Sequence, residues 1–272
     1  TSIRFPRLEN VLTDQRGEPR LIETCMGAYE IGCSKDTTSV SDSIYVGGKV
    51  LGKTYSEVGV YENVLEKLKV AYDCDSVVRH TVVVKPDPKV NEYTVTNTND
   101  DGAGSLRKAI DYANLSESKT FNIKFDLKEA GPHVIKIKSQ LYINRRDNLT
   151  IDGSSVSDSI IIDGGNNDYN GINVGCSMNL QIESISVRNC SSGIDLFATE
   201  ATVKNCDFTR NEVGIETYES EVLIDNCLAS GNSQYGIYTQ GGMIGGIDRR
   251  CFKTDARVII QNCVIGLDRA EK

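Results

Sequence analysis

The chain has 272 residues, room for two or three domains, with 24 glycines, no Trp and only 7% aromatics. Its net charge of −8 argues against a surface for nucleic acid or anionic membrane, and no apolar run is long enough for a transmembrane helix. Nine cysteines without a C-x-x-C pair, with two isolated histidines (His80 and His133), argue against a structural zinc site.

In chain order, residues 1–35 open "TSIRFPRLEN", without Met or a signal peptide, which reads as a mature or excised chain. Cys25 and Cys33 lie eight residues apart in a glycine-containing stretch and are candidates to pair. The sequence leaves the pairing of Cys25, Cys33, Cys74 and Cys251 open. Within residues 41–88, the β-branched stretch Val77 to Val84 reads as a strand. The same segment contains "GGKVLGKT", Gly47 to Thr54, which matches a phosphate-loop pattern letter for letter. Such a loop needs a following helix and a parallel sheet. Gly59 falls where that helix should run, and too few residues remain before "KPDP", whose Pro86 and Pro88 read as a stiff linker, so the match is a chance one.

From residue 91 the chain turns repetitive. Ser105 is a predicted N-cap, and Leu106, Ala109, Ile110 and Ala113 share one face of a short helix, suited to closing the end of a stacked array. Short β-branched runs follow, separated by Gly, Asn, Ser and Asp. Gly-Ile occurs at 171, 193, 214 and 236, in steps of 22, 21 and 22 residues. A period this short means stacked coils, because one such unit cannot bury its own apolar face. The fold class read from this pattern is all-β, a parallel β-helix with an N-terminal capping helix. At about 22 residues per coil, residues 91–272 make roughly eight coils.

Asn-Cys also recurs, as Asn189-Cys190, Asn205-Cys206, Asn226-Cys227 and Asn262-Cys263. Asn is expected at one bend, bonding the coils above and below, with Cys stacked inside as a free thiol. Glycine before each Ile is expected at the opposite bend. The 36 residues from Cys227 to Cys263 imply an insertion within Thr239 to Asp255. The residue after each Gly-Ile points outward, which puts Asn173, Asp195, Glu216 and Tyr238 in one column, with Asp207 and Glu212 near it. That column is the candidate binding stripe for Ca²⁺ or sugar, or a glycosidase carboxylate pair; its alternative is a solvated strand face. Arg188, Lys204 and Asp225 each precede the Asn and are expected to share a column. The Asp163, Asn166, Asn167 and Asp168 stretch has oxygen ligands but lacks calcium-roll spacing, and reads as a turn. No catalytic residue, cofactor or metal is assigned.

Three stretches carry a resemblance. "TDQRGEPRLIETCMGAYEIG", Thr13 to Gly32, resembles the closing signature of bacterial β-helix surface modules, with Met26 where Ile is usual and Cys25 in place of Asp. Residues 41–88, with Val58-Gly59-Val60-Tyr61 and Cys74-Asp75-Ser76, look like a small Ig-like β-sandwich repeat of Bacteroidota secreted proteins; Asp73 replaces the usual Gly. "YTVTNTNDDGAGSLRKAIDYAN", Tyr93 to Asn114, resembles the opening of the same pectate-lyase-like, right-handed β-helix modules of the choice-of-anchor type.

The resemblance implies the end of one β-helix (1–35), a β-sandwich spacer (41–88) and the start of another β-helix (91–272) that stops mid-module. It implies an extracellular or outer-membrane-associated protein for adhesion or display, without catalysis. The alternative is a carbohydrate-active or glycan-binding β-helix, either a polysaccharide lyase or a glycoside hydrolase. Expected partners are surface glycans, host or cell-surface proteins, and a further β-helix segment or chain at the open end. Asp-Ser/Thr motifs resemble O-glycosylation acceptors of such proteins and place the modification at Thr37, Ser43, Ser76 and Ser159.

Overall fold

A computed structural model describes residues 37–66, 77–241 and 256–266. The chain divides into two compact units, Thr1–Asp42 with Tyr61–Val82 and Ser43–Val60 with Val83–Lys272. Strands β1 (Thr37–Tyr45), β4 (Gly59–Glu66) and β5 (Val77–Lys85) form a three-stranded sheet in the order β1-β5-β4. Within "GGKVLGKT", β2 (Lys49–Val50) and β3 (Lys53–Thr54) pair antiparallel. Leu51 (φ 49°) and Gly52 (φ 79°) make the two-residue turn between them, both in the left-handed region that such a hairpin needs. A strand follows where a phosphate loop needs a helix, so the motif match is a coincidence of letters.

The repetitive part winds through three parallel sheets. Sheet A stacks β6 (Glu92–Val95), β7 (Phe121–Phe125), β10 (Leu149–Asp152), β13 (Leu180–Glu183), β16 (Glu200–Lys204), β19 (Glu221–Asp225) and β22 (Arg257–Gln261). Sheet B stacks β8 (His133–Lys136), β11 (Ile160–Asp163), β14 (Ser186–Arg188), β17 (Asp207–Thr209), β20 (Leu228–Ser230) and β23 (Val264–Gly266). Sheet C stacks β9 (Leu141–Asn144), β12 (Ile172–Gly175), β15 (Ser192–Phe197), β18 (Val213–Tyr218) and β21 (Tyr235–Gln240). In sheet A, Phe121 pairs Leu149, Thr150 pairs Gln181, Leu180 pairs Ala201, Ala201 pairs Val222 and Val222 pairs Val258, so the coils advance by 28, 31, 21, 21 and 36 residues. The first two long steps reduce the coil number: the longest described ladder has seven strands, against the eight coils that a uniform 22 suggests. The expected insertion, apart from residues 239–241, lies outside the described residues.

Alternate residues of every coil point inward and build one core. Ile123, Ile151, Ile182, Val203 and Ile224 occupy successive levels of sheet A, each at most 1% exposed. The helix α1 (Leu106–Leu115) joins the same core through Leu106, Ala109, Ile110 and Ala113, as its sequence predicts. Ser105 caps it, its Oγ accepting from Lys108 N at 3.2 Å. Arg107 ties the helix to the coil beside it, donating to the Ser139 and Gln140 carbonyls (2.8 and 3.0 Å) and to Asp100 Oδ1.

Each coil has three bends rather than two, and left-handed residues mark them. Ser184, Asn205, Asn226 and Asn262 stand between sheets A and B, Asn189 and Arg210 between B and C, and Cys176, Ala198 and Glu219 between C and the next level of A. Asn189 and Cys190 therefore do not belong to the Asn205, Asn226, Asn262 column; they lie at the next bend, 16 residues earlier in the sequence than Asn205-Cys206 and not a whole coil. The same fact separates Arg188, which pairs with Asp163 and Thr209 in sheet B, from Lys204 and Asp225, which pair with each other in sheet A. Three of the recurring glycines, Gly193, Gly214 and Gly236, lie within sheet C strands and not at bends, and Gly171 stands directly before β12. An added Cβ would meet the Gly193 oxygen at 2.7 Å from Gly171, the Gly214 oxygen at 2.6 Å from Gly193 and the Gly236 oxygen at 2.4 Å from Gly214. They are required because neighbouring coils approach there backbone to backbone.

Candidate functional site

The outer face of sheet C is built by register. Tyr142 pairs Asn173, Asn173 pairs Asp195, Asp195 pairs Glu216 and Glu216 pairs Tyr238. The structure thus brings Asn173, Asp195, Glu216 and Tyr238 into one column and adds Tyr142 at its foot. The local reason is the two-residue period of a strand: the Ile before each of the four points into the core, with Ile172, Ile194 and Ile215 fully buried, so the next side chain must point out.

Both carboxylates are held by neighbours. Asn170 and Asn173 each donate an amide hydrogen to Asp195 Oδ2, at 3.0 Å. Ser192 Oγ donates to Glu216 Oε2 and the Tyr218 hydroxyl to Glu216 Oε1. Asp195 Oδ1 is buried without a partner. Burial first, then the adjacent Glu216 charge, push the Asp195 carboxyl up to about 6, against the pull of the Asn170 hydrogen bond. The hydrogen bond to Glu216 raises the Tyr218 hydroxyl well above the ordinary phenol range, which keeps it a donor.

Aromatic rings gather at the upper end of the column. Tyr238 lies 6.2 Å from Tyr218 and 5.3 Å from Tyr235, centroid to centroid. Tyr235 is 50% exposed and Tyr142, at the other end, 47%, so ring faces are available to a partner. Sequence reasoning overlooked Tyr142, Tyr218 and Tyr235. Tyr218 was within reach, two residues after Glu216 and so on the same face. Tyr142 was not, because 31 residues separate it from its partner Asn173 and break the 22-residue period.

Asn side chains link neighbouring coils. Asn226 Nδ2 donates to Asn205 Oδ1 at 2.7 Å, and Asn262 Nδ2 to Asp225 Oδ1 at 2.9 Å. A second ladder, at the entry to sheet C, has Asn211 Oδ1 accepting from Cys190 N (3.0 Å) and Asn232 Oδ1 from Asn211 N (2.9 Å). Cys190, Cys206, Cys227 and Cys263 are free thiols and Cys176 is disulfide-bonded; Cys25, Cys33, Cys74 and Cys251 lie outside the described residues. Burial pushes the Cys190 thiol up to about 12.

The remaining candidates are dispersed. Asp207 stands in sheet B, away from the column, and Glu212 is exposed at the bend before β18, accepting from Ser191 Oγ at 3.5 Å. Asp163 takes hydrogen bonds from Asn189 (2.9 Å), Gly165 N (3.0 Å) and Arg188 (2.9 Å), which use both its oxygens to tie the turn. Among the described residues, no group of three or more His, Cys, Asp or Glu is placed to hold a metal ion. Ser43 and Ser159 are exposed, Thr37 begins β1, and Ser76 lies outside the described residues.

Three parallel ladders, an inward apolar column at each level and repeating left-handed bends now stand beside one comparison: residues 133–265 match the family described as right handed beta helix region. This segment is a right-handed parallel β-helix. No curated protein matches the chain. In this β-helix, sheet C carries the acidic column and its tyrosines. Among the described residues, no helix is long and apolar enough to cross a membrane.

Proposed function

We propose that the chain is a non-catalytic, glycan-recognising section of a modular extracellular protein, with the sheet C face as its contact surface. The observation that carries this reading is the stacked column Tyr142, Asn173, Asp195, Glu216 and Tyr238, with Tyr218 and Tyr235 beside it. Tyrosine rings offer an apolar face and a polar tip, the two chemistries of a sugar ring. A rigid ladder presents them at fixed steps of ~4.8 Å, with little ordering cost on binding. The resemblance of residues 1–35, 41–88 and 91–272 to parts of secreted surface arrays supports the modular, surface-exposed setting and its adhesive role.

Against catalysis stands the state of the carboxylates. A glycosidase pair needs one carboxyl free to give a proton and a second free to attack or to activate water. Here three oxygens accept hydrogen bonds from neighbours and the fourth is buried. The raised Asp195 carboxyl is the feature that favours a hydrolase as the second reading. Purified chain incubated with a polysaccharide panel tests both, with reducing ends and binding followed together. Binding without new reducing ends, weakened at least tenfold in Tyr235→Ala/Tyr238→Ala, is expected. Turnover lost in Asp195→Asn would replace this proposal by the hydrolase.

A further inference from the structure

The chemistry of the same face narrows the glycan class. The five sheet C strands, LYIN, INVG, SGIDLF, VGIETY and YGIYTQ, contain no Lys or Arg. Two carboxylates stand in adjacent coils at the centre of the column. Arg145, the residue directly after β9, belongs to a coil two steps below Asp195 and three below Glu216, coil separations of ~10 and ~14 Å at ~4.8 Å per step. Arg210, at the bend before β18, lines a cleft with Asp168 and Glu212, two acids to one cation. A polyuronate laid on this face would bring a carboxylate to each sugar ring and find acids opposite it. Like charges so close, on a surface partly shielded from water, oppose binding strongly.

A cationic glycan is disfavoured for a different reason. Ammonium groups seek exposed carboxylate oxygens that lack donors, yet Asn170, Asn173, Ser192 and Tyr218 already donate to three oxygens of this pair, and the fourth, Asp195 Oδ1, is buried. The carboxylates act as anchors that orient these side chains. What the face shows a ligand is ring surface on exposed Tyr142 and Tyr235 and half-buried Tyr238, with the amides of Asn144 and Gln240 at its edge. Resting on the glycan-binding reading above, we infer that the sheet C face takes an uncharged polysaccharide and rejects uronate-containing chains.

The test is calorimetric titration of the full chain with hexamers: gluco-, xylo-, manno- and galacto-oligosaccharides as uncharged probes, oligogalacturonate as the acidic one and chitosan hexamer as the cationic one. At least one uncharged hexamer is expected to bind ten or more times tighter than either charged probe. Asp195→Asn/Glu216→Gln, nearly isosteric and checked for its β circular dichroism, should raise oligogalacturonate affinity at least fivefold. Tighter binding of oligogalacturonate or chitosan, abolished by Tyr235→Ala/Tyr238→Ala, would overturn the class and leave the binding reading standing. Absence of binding by every probe would overturn both.

Discussion

Gly193→Ala is the most direct probe of how the coils stack. The new Cβ would lie 2.6 Å from the Gly214 oxygen, 2.9 Å from Asn211 Nδ2 and 2.9 Å from Phe208 Cδ1. None of the three yields easily. The oxygen belongs to a ladder strand, Asn211 is bonded into the inner amide ladder, and Phe208 is 1% exposed. Overpacking of this kind costs about 1–3 kcal/mol, offset by about 0.4–1 kcal/mol from the lower entropy of the unfolded alanine chain. With a backbone atom among the contacts, the net loss should be about 1–2 kcal/mol. Gly175→Ala is the control: its nearest neighbours are Tyr142 Oη at 3.6 Å and Asn144 Oδ1 at 4.0 Å, so only the entropic gain applies. Urea unfolding followed by far-ultraviolet circular dichroism should give Gly193→Ala a clearly lower midpoint than wild type, and Gly175→Ala an equal or higher one. Equal midpoints for the two variants would refute the claim that backbone approach, and not turn conformation, fixes these glycines.

Asn226→Ala loses the 2.7 Å bond to Asn205 and leaves a Cβ residue at φ 52° without its amide; a loss of about 1–2 kcal/mol is expected, and Asn226→Gly should recover the backbone part of it in the same unfolding assay. For Asp195, a folded pKa raised to about 6 means that the folded chain keeps a proton which the unfolded chain has released. Its stability contribution therefore falls as pH rises from the unfolded value, ~3.9, through the folded one, and the penalty is complete above it. Asp195→Asn should thus be more stable than wild type at pH 7.5 and equal to it near pH 4; a difference independent of pH would refute the assignment. The Cys190, Cys206 and Cys227 thiols are buried, and iodoacetamide at pH 8 should label them slowly in the native chain and fully in urea, as read by mass spectrometry. Rapid native labelling at all three would contradict the inward Cys positions.

Much of the fold was legible because its period is short. Gly-Ile at 21- or 22-residue steps and strands of period two place Asn173, Asp195 and Glu216 in one column from spacing alone. Ser105 and the apolar face Leu106, Ala109, Ile110 and Ala113 declare the cap helix for the same reason: local rules act within one turn. The shape of the coil was not legible. Left-handed bends recur at Asn, Ser, Ala, Arg, Glu and Cys alike, so no single residue type counts them, and Asn189 looks like Asn205 although it stands at a different bend.

The sequence by itself determined a stack of parallel strands with alternating inward apolar side chains, and which polar side chains leave each coil after Gly-Ile. Burial requires that alternation wherever a strand covers a core, so it is written in the letters. Only the tertiary structure decided how many bends close a coil, that the glycines stand where backbones meet, and that Tyr142 and Tyr235 share a face with the two carboxylates. These depend on register between coils of unequal length, which inter-coil hydrogen bonds and packing set together and no local pattern encodes.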